Sequence, residues 1–352
     1  MSATQAFPLV LTCLLAAAGV PALGAQEAPA GEAADVAPLF ASHDLLELTL
    51  EADLDRLEDD RQQDSEERPG ALLVPGADGQ PVKLDLQVRT RGNFRLQRRT
   101  CAMPNLRLNF KKQQAEGTVF EGQDKLKLVG YCRDRDNFEQ NALEEYLVYR
   151  TYNLLTDVSF RVRLARITYQ DVNGKKKPVT RYGFLIEDDD ALAARLGGQM
   201  IEVAAAPAMA MEGEAQVRTA LFQYMVGNTD WSMVQFHNFT LVRLEDGKHV
   251  AVPYDFDWSG LVDASYAVPD PSLGTRDVKE RVYRGFCRPE VDMEAVYAFF
   301  NEKREAIYEL YRNQPGLEEG NVRRALRYLD DFYDTINSNR RGRAIENNCR
   351  KA

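Results

Sequence analysis

Three segments between residues 84 and 128 share one alternation. Leu84, Leu86 and Val88 alternate with Asp85, Gln87, Arg89 and Arg91; Leu106, Leu108 and Phe110 with Asn105, Arg107, Asn109 and Lys111; Leu126 and Leu128 with Lys125 and Lys127. A period of two with one apolar and one cationic face predicts half-buried antiparallel strands. The cationic faces either point together at an anion or are simply solvated. Before them, residues 45–50 read as a strand and 53–61 as a short acidic helix, and 72–74 with a Gly-Ala-Asp-Gly turn lead into the first of the three, 82–90. Residues 163–172 and 175–186 flank Asn173-Gly174 and predict a hairpin. Residues 141–155 predict a helix, with Leu143, Leu147, Arg150 and Leu154 along one stripe. A second helix, 214–226, places Val217, Ala220, Leu221, Tyr224 and Met225 at helical spacing and stops at Gly227. Another hairpin follows around Glu245-Asp246-Gly247, and then helices over 293–311 and 321–336. The first half is strand-rich and the second mainly helical with one embedded hairpin, which predicts a two-lobe α+β layout.

The ends and the cysteines add a compartment. Phe7 to Val20 is a short apolar run followed by Pro21 and the small residues of Ala22-Leu23-Gly24-Ala25, the pattern of a signal peptide over residues 1–25, though without Lys or Arg before the run. It is too short for a membrane span. Residues 26–40, rich in Ala, Gly, Pro and Glu, read as a flexible linker. The strand-rich region then runs over 41–198 and the helical region over 199–352. Without Cys13 of the apolar run, four cysteines remain, an even number that in an exported protein suggests two disulfides. Cys101–Cys132 and Cys287–Cys349 are favoured because each would staple one half of the chain. The protein is thus expected to be secreted or periplasmic, with no transmembrane anchor in its mature form. Three histidines and no ligand-spaced cysteine pair argue against a zinc site. A net charge of −10 argues against nucleic acid or an anionic membrane as partner.

The candidate chemistry lies at the second hairpin. With its turn centred near Asp246, Asn238 falls opposite Tyr254, so Asn238 and Asp255 share the open end, and Asp230 enters from the preceding loop. One Asn and two Asp there match what phosphoryl transfer needs: an acid for the acceptor hydroxyl, and an amide oxygen and second acid for Mg²⁺. Singly, each residue is equally a turn or cap. There is no G-x-G-x-x-G and no Walker A, which excludes a P-loop NTPase, and no G-x-S-x-G.

Over residues 45–263 the chain resembles the spore-coat-H-type (CotH) kinase-like family. The resemblance is carried by Val88-Arg89-Thr90-Arg91-Gly92-Asn93, the strands at 106–110 and 125–128, the helix at 141–155, Tyr182 to Glu187, and the series Asn228, Asp230, His237-Asn238 and Pro253-Tyr254-Asp255. It implies a bilobal protein-kinase-like fold, with a strand-rich N-lobe and a mainly helical C-lobe with an embedded β-hairpin. It also implies a secreted kinase that takes a phosphoryl group from ATP with Mg²⁺ or Mn²⁺ and passes it to an unidentified protein Ser/Thr or glycan acceptor. By similarity Asp230 is the catalytic acid, Asn238 and Asp255 bind the metal, Arg89 and Arg91 cover the phosphates, and Glu187 borders the adenine through its backbone. Lys127 is the candidate nucleotide anchor, with Lys125 and Arg107 as competitors; Glu144 or Glu145 is either its helical partner or, as favoured, an ordinary surface acid. Arg95, Arg98 and Arg99 read as surface or acceptor recognition. Asp257, where kinases carry the Gly of Asp-Phe-Gly, either adds a metal contact or, as favoured, is a solvated acid. The alternative function is a non-catalytic binding or surface-assembly protein on the same scaffold.

Overall fold

The computed structural model describes Met1 and residues 37–76, 79–202 and 211–351. Apart from Met1 and residues 37–40, the expected signal peptide and linker lie outside the described residues. The alternating segments form strands as expected. β1 (Leu46–Ala52) is followed by helix α1 (Leu54–Asp59), then by β2 (Arg68–Pro75), β3 (Pro81–Arg91), β4 (Asn105–Phe110) and β5 (Lys125–Val129). Helix α2 (Asp136–Leu155) starts five residues earlier than its apolar stripe and is followed by β6 (Val162–Asp171) and β7 (Val179–Ile186).

The bilobal kinase-like architecture is not what forms. The seven strands close into a barrel in the order β1-β2-β3-β4-β5-β7-β6. Closure comes from one parallel pairing: β1 lies along β6, with Leu46 beside Ala165 and Ala52 beside Asp171. No local pattern announces a pairing across more than a hundred residues. Once it forms, the sheet has no open edge to protect. The apolar positions of the alternation fill the barrel. Leu48, Leu50, Leu84, Leu86, Val88, Leu106, Leu108, Leu126, Leu128 and Ile167 are buried together there, so the cationic positions of β3, β4 and β5 point outward.

Beyond the barrel come α3 (Asp189–Arg195), β8 (Gly198–Met200), α4 (Gly213–Val226), β9 (Phe239–Leu244), β10 (His249–Pro253), α5 (Met293–Arg312), α6 (Glu319–Ile336) and α7 (Asn339–Asn347). Strands β10, β9 and β8 make a second, three-stranded sheet. A second core joins α2, α4, α5 and α6 through Leu143, Leu147, Phe222, Met225, Phe300, Tyr311 and Phe332. Residues Val36–Ala352 form one compact unit. Both expected disulfides are present, Cys101–Cys132 and Cys287–Cys349. Among the described residues no helix is long and apolar enough to cross a membrane.

Candidate functional site

The site begins where α4 ends. Gly227 caps that helix in the left-handed conformation, φ 67°, and a Cβ there would collide with the Tyr328 hydroxyl. The chain then turns sharply through Asn228, whose buried side-chain oxygen accepts from the Asp230 N–H at 3.0 Å. Trp231 is pinned by its indole N–H on the Asn228 carbonyl, 3.0 Å. The carboxylate of Asp230 accepts from His237 Nε2 at 2.8 Å and from Asn238 Nδ2 at 3.1 Å, and Asn238 Nδ2 also reaches the Asp230 carbonyl at 2.7 Å. The hydrogen bond to Asp230 holds the His237 imidazolium above its usual range, against desolvation.

The hairpin forms in the register read from the sequence. Phe239 pairs with Pro253, and the Tyr254 N–H donates to the Asn238 carbonyl at 3.0 Å. Asn238 and Asp255, on either side of the open end, both have positive φ, 55° and 62°, as does Phe236 at 50°. Such backbone strain in non-glycine residues persists only where surroundings enforce it, and it gathers at functional sites. At Asp255 the enforcing contact is the Tyr149 hydroxyl of α2, which accepts from its N–H at 2.9 Å.

Asp255 is exposed at the hairpin mouth yet crowded by protein around its carboxyl. Desolvation first, then the charge of Asp257, pushes its carboxyl up to about 6, against Arg95 and Arg91. Among the described residues no donor meets its carboxylate oxygens or the Asn238 side-chain oxygen, since the amide of Asn238 is spent on Asp230. Two adjacent open acceptors suit a hard cation that keeps most of its ligands as water or phosphate. Among the described residues no three His, Cys, Asp or Glu side chains gather as a complete metal cage.

Beside the hairpin mouth, a cleft of about 740 Å³ is walled by Arg91, Arg107 and Lys127 from three neighbouring strands, by Asp188 to Asp190, and by Phe239, Thr240 and Tyr254 of the hairpin. The three cations therefore do face one space. Arg107 pairs with Asp188 at 3.2 Å. Lys127 pairs with Asp189 at 2.6 Å and lies over the rings of Phe160 and Tyr254, 4.9 and 5.6 Å from their centroids. Desolvation lowers its pKa. The Arg91 guanidinium has no ion pair or hydrogen bond among the described residues.

Other expected residues sit elsewhere. Arg89 donates to the Gln63 carbonyl at 2.8 Å and is not among the residues lining this cleft. Glu187 is buried, and its carboxylate is held by Arg195 at 2.9 Å on each oxygen and by the Arg161 N–H at 3.1 Å. Its own N–H donates to the Arg161 carbonyl at 3.0 Å. Neither Glu144 nor Glu145 partners Lys127: Glu144 binds Arg324 and Glu145 binds Arg95. Arg98 pairs with Asp59 at the surface. Arg95, expected at the surface, is buried, and Asp257, expected in solvent, is its partner. Arg95 reaches Asp257 at 3.1 Å, Glu145 at 2.8 Å, Asn105 at 3.1 Å and the Tyr266 hydroxyl at 3.0 Å, and that hydroxyl donates to Asp257 at 2.9 Å. The sequence carried no signal for this cluster, because Arg95 lies on one turn of 3₁₀ helix, Phe94–Leu96, too short for a period. No family model matches the chain and no curated protein matches it, so the reading of the site rests on these contacts.

Proposed function

We propose that the chain is a phosphotransferase: it binds ATP in the Arg91–Arg107–Lys127 cleft and passes the terminal phosphoryl group to an acceptor hydroxyl held by Asp230. The observation that carries this reading is the meeting of Asp230, Asn238 and Asp255 at the hairpin mouth, beside a wall of three cations. Arg91, without an ion pair or hydrogen bond among the described residues, and Arg107 would bear on the phosphates. Mg²⁺ or Mn²⁺, held by Asp255 and the Asn238 oxygen, would neutralise charge on the transferred group. The acceptor oxygen forms its bond to phosphorus as the bond to the ADP oxygen breaks, and the hydroxyl proton passes to Asp230. His237 and Asn238 fix the Asp230 carboxylate for that role. The two disulfides suit a protein that matures in an oxidising compartment, which supports export.

The test is incubation of the oxidised protein with γ-labelled ATP and Mg²⁺ or Mn²⁺, following label on protein and free phosphate. Asp230→Ala and Asp255→Ala should each lower turnover by about a hundredfold or more. Absence of both turnover and metal-dependent nucleotide binding in the parent protein would overturn the reading. One observation favours a second, non-catalytic reading: the Lys127–Asp189 pair ties up the nearest lysine. Nucleotide binding without turnover, strengthened when Asp189→Asn frees Lys127, would select it.

A further inference from the structure

Next to the Asp230 loop stand two more guanidinium groups. Arg284 donates through Nη1 to the Thr229 carbonyl, one residue before Asp230, and lies 5.6 Å from the ring centre of Trp231, one residue after it. Arg350 belongs to a segment stitched beside Arg284. Its N–H donates to the Gly285 carbonyl at 2.8 Å, its carbonyl accepts from the Cys287 N–H at 2.9 Å, and the Cys287–Cys349 disulfide clamps the pairing. The Arg350 side chain is exposed and lies 5.2 Å over Phe286. Neither guanidinium pairs with a carboxylate among the described residues. The nearby acids are committed: Asp230 to His237 and Asn238, and Asp270 to the N–H and hydroxyl of Ser272 at 2.8 and 2.7 Å. The two arginines repel each other, and Arg284 also interacts with Asp230 and His237, so Arg284 stands between Arg350 and the Asp230–His237 pair.

Two uncompensated guanidinium groups held together in a chain of net charge −10 are a local reversal of sign. We infer that Arg284 and Arg350 form an acceptor-docking site for an acidic peptide segment, placing a Ser or Thr hydroxyl on Asp230. Guanidinium forks match carboxylates in geometry as well as charge. A peptide fits better than a sugar because the two rings at the site, Trp231 and Phe286, are buried beneath the arginines and offer no open face for stacking. The clamp by Cys287–Cys349 makes the site depend on the oxidised state. This inference rests on the phosphoryl-transfer reading for the role of Asp230, but docking can be measured without it.

The experiment measures anisotropy of labelled Ser-containing peptides, one Glu-rich, one with Gln for every Glu and one with Lys, on the full-length oxidised protein without nucleotide. The acidic peptide should bind at least about tenfold more tightly than the Gln peptide, and added salt should erase the difference. Arg350→Glu, at an exposed side chain, should lower that affinity about tenfold, and Arg350→Lys should retain most of it. Arg284→Lys tests the second arginine while keeping its charge near Trp231. Equal binding of the three peptides, or no effect of Arg350→Glu, overturns the site. Label transfer from ATP to the peptides is read in parallel. Acidic binding without transfer upholds the docking site and sinks phosphoryl transfer, whereas transfer without acidic preference does the reverse.

Discussion

Asp255 and Asp257 are two residues apart and live in opposite circumstances. Phe256 between them is fully buried against Tyr149 and Phe222, 4.7 and 5.5 Å between ring centres, and it turns one acid outward and the other inward. Asp257 is 8 % exposed, and its Oδ2 accepts from both Arg95 and the Tyr266 hydroxyl. Asp255 is exposed, with its carboxylate oxygens free of protein donors among the described residues. The inner cluster sets one cation, Arg95, against two buried carboxylates, Asp257 and Glu145, the latter 1 % exposed. Burial pushes the Glu145 carboxyl upward, with Arg95 opposing. The bonds of Arg95 to Asp257 and Glu145 mark a pin that joins the 3₁₀ turn, α2 and the segment after β10. An open shell marks a place meant for something else. From the sequence Asp255 is expected as a metal ligand, but nothing there announces Arg95 as the partner of Asp257.

The comparison can be broken most forcefully at Arg95. Arg95→Met strands two buried carboxylates, and loss of one partner of a buried ion pair costs about 3–5 kcal/mol. Urea denaturation should show that loss; a change below about 1 kcal/mol would mean the inner cluster is not a pin.

A smaller effect should separate the two acids themselves. Asp257→Asn weakens charge-assisted bonds to Arg95 and should cost about 1–3 kcal/mol. Asp255→Asn removes a carboxylate already crowded by Asp257 and should leave the thermal midpoint unchanged or raised. Equal destabilisation by both would erase the distinction. Metal-dependent nucleotide binding should show the opposite ranking, lost in Asp255→Asn and kept in Asp257→Asn.

The smallest expected effect is with pH. The Asp255 carboxyl titrates near 3.8 when unfolded and at about 6 when folded. Between those values the folded protein binds the extra proton, so its contribution to stability is present below about pH 4 and declines as pH rises towards 6. Metal affinity should run the other way, rising through pH 6 as the carboxylate forms. Calorimetry of Mn²⁺ binding from pH 5 to 7.5 checks the second trend, and denaturation of the Asp255→Asn variant, which should lack the first slope, checks the other. A metal affinity flat across that range would place the cation elsewhere.

Much of the local structure could be read from the chain. The alternation of Leu84 to Val88 and Leu106 to Phe110, the Asp246-Gly247 turn, Gly227 as the stop of α4, and both cysteine pairs reflect interactions within a strand, a turn or a helix end, or simple parity of cysteines. Their physics acts over a few residues, so composition and period expose it. The mouth of the second hairpin was legible for the same reason, because a turn position sets which residues stand opposite.

Tertiary structure decided the rest. The barrel closes by pairing β1 with β6, and its two strands carry no mark of each other, since backbone hydrogen bonds between strands do not depend on side-chain identity. Whether Lys127 meets Glu145 or Asp189, whether Arg95 is solvated or buried, and whether Arg284 and Arg350 are neighbours depend on how distant elements pack. A charge shows its type in the sequence. Its partner, and hence whether it holds the fold together or is left open for a ligand, is set only when the chain has closed around it.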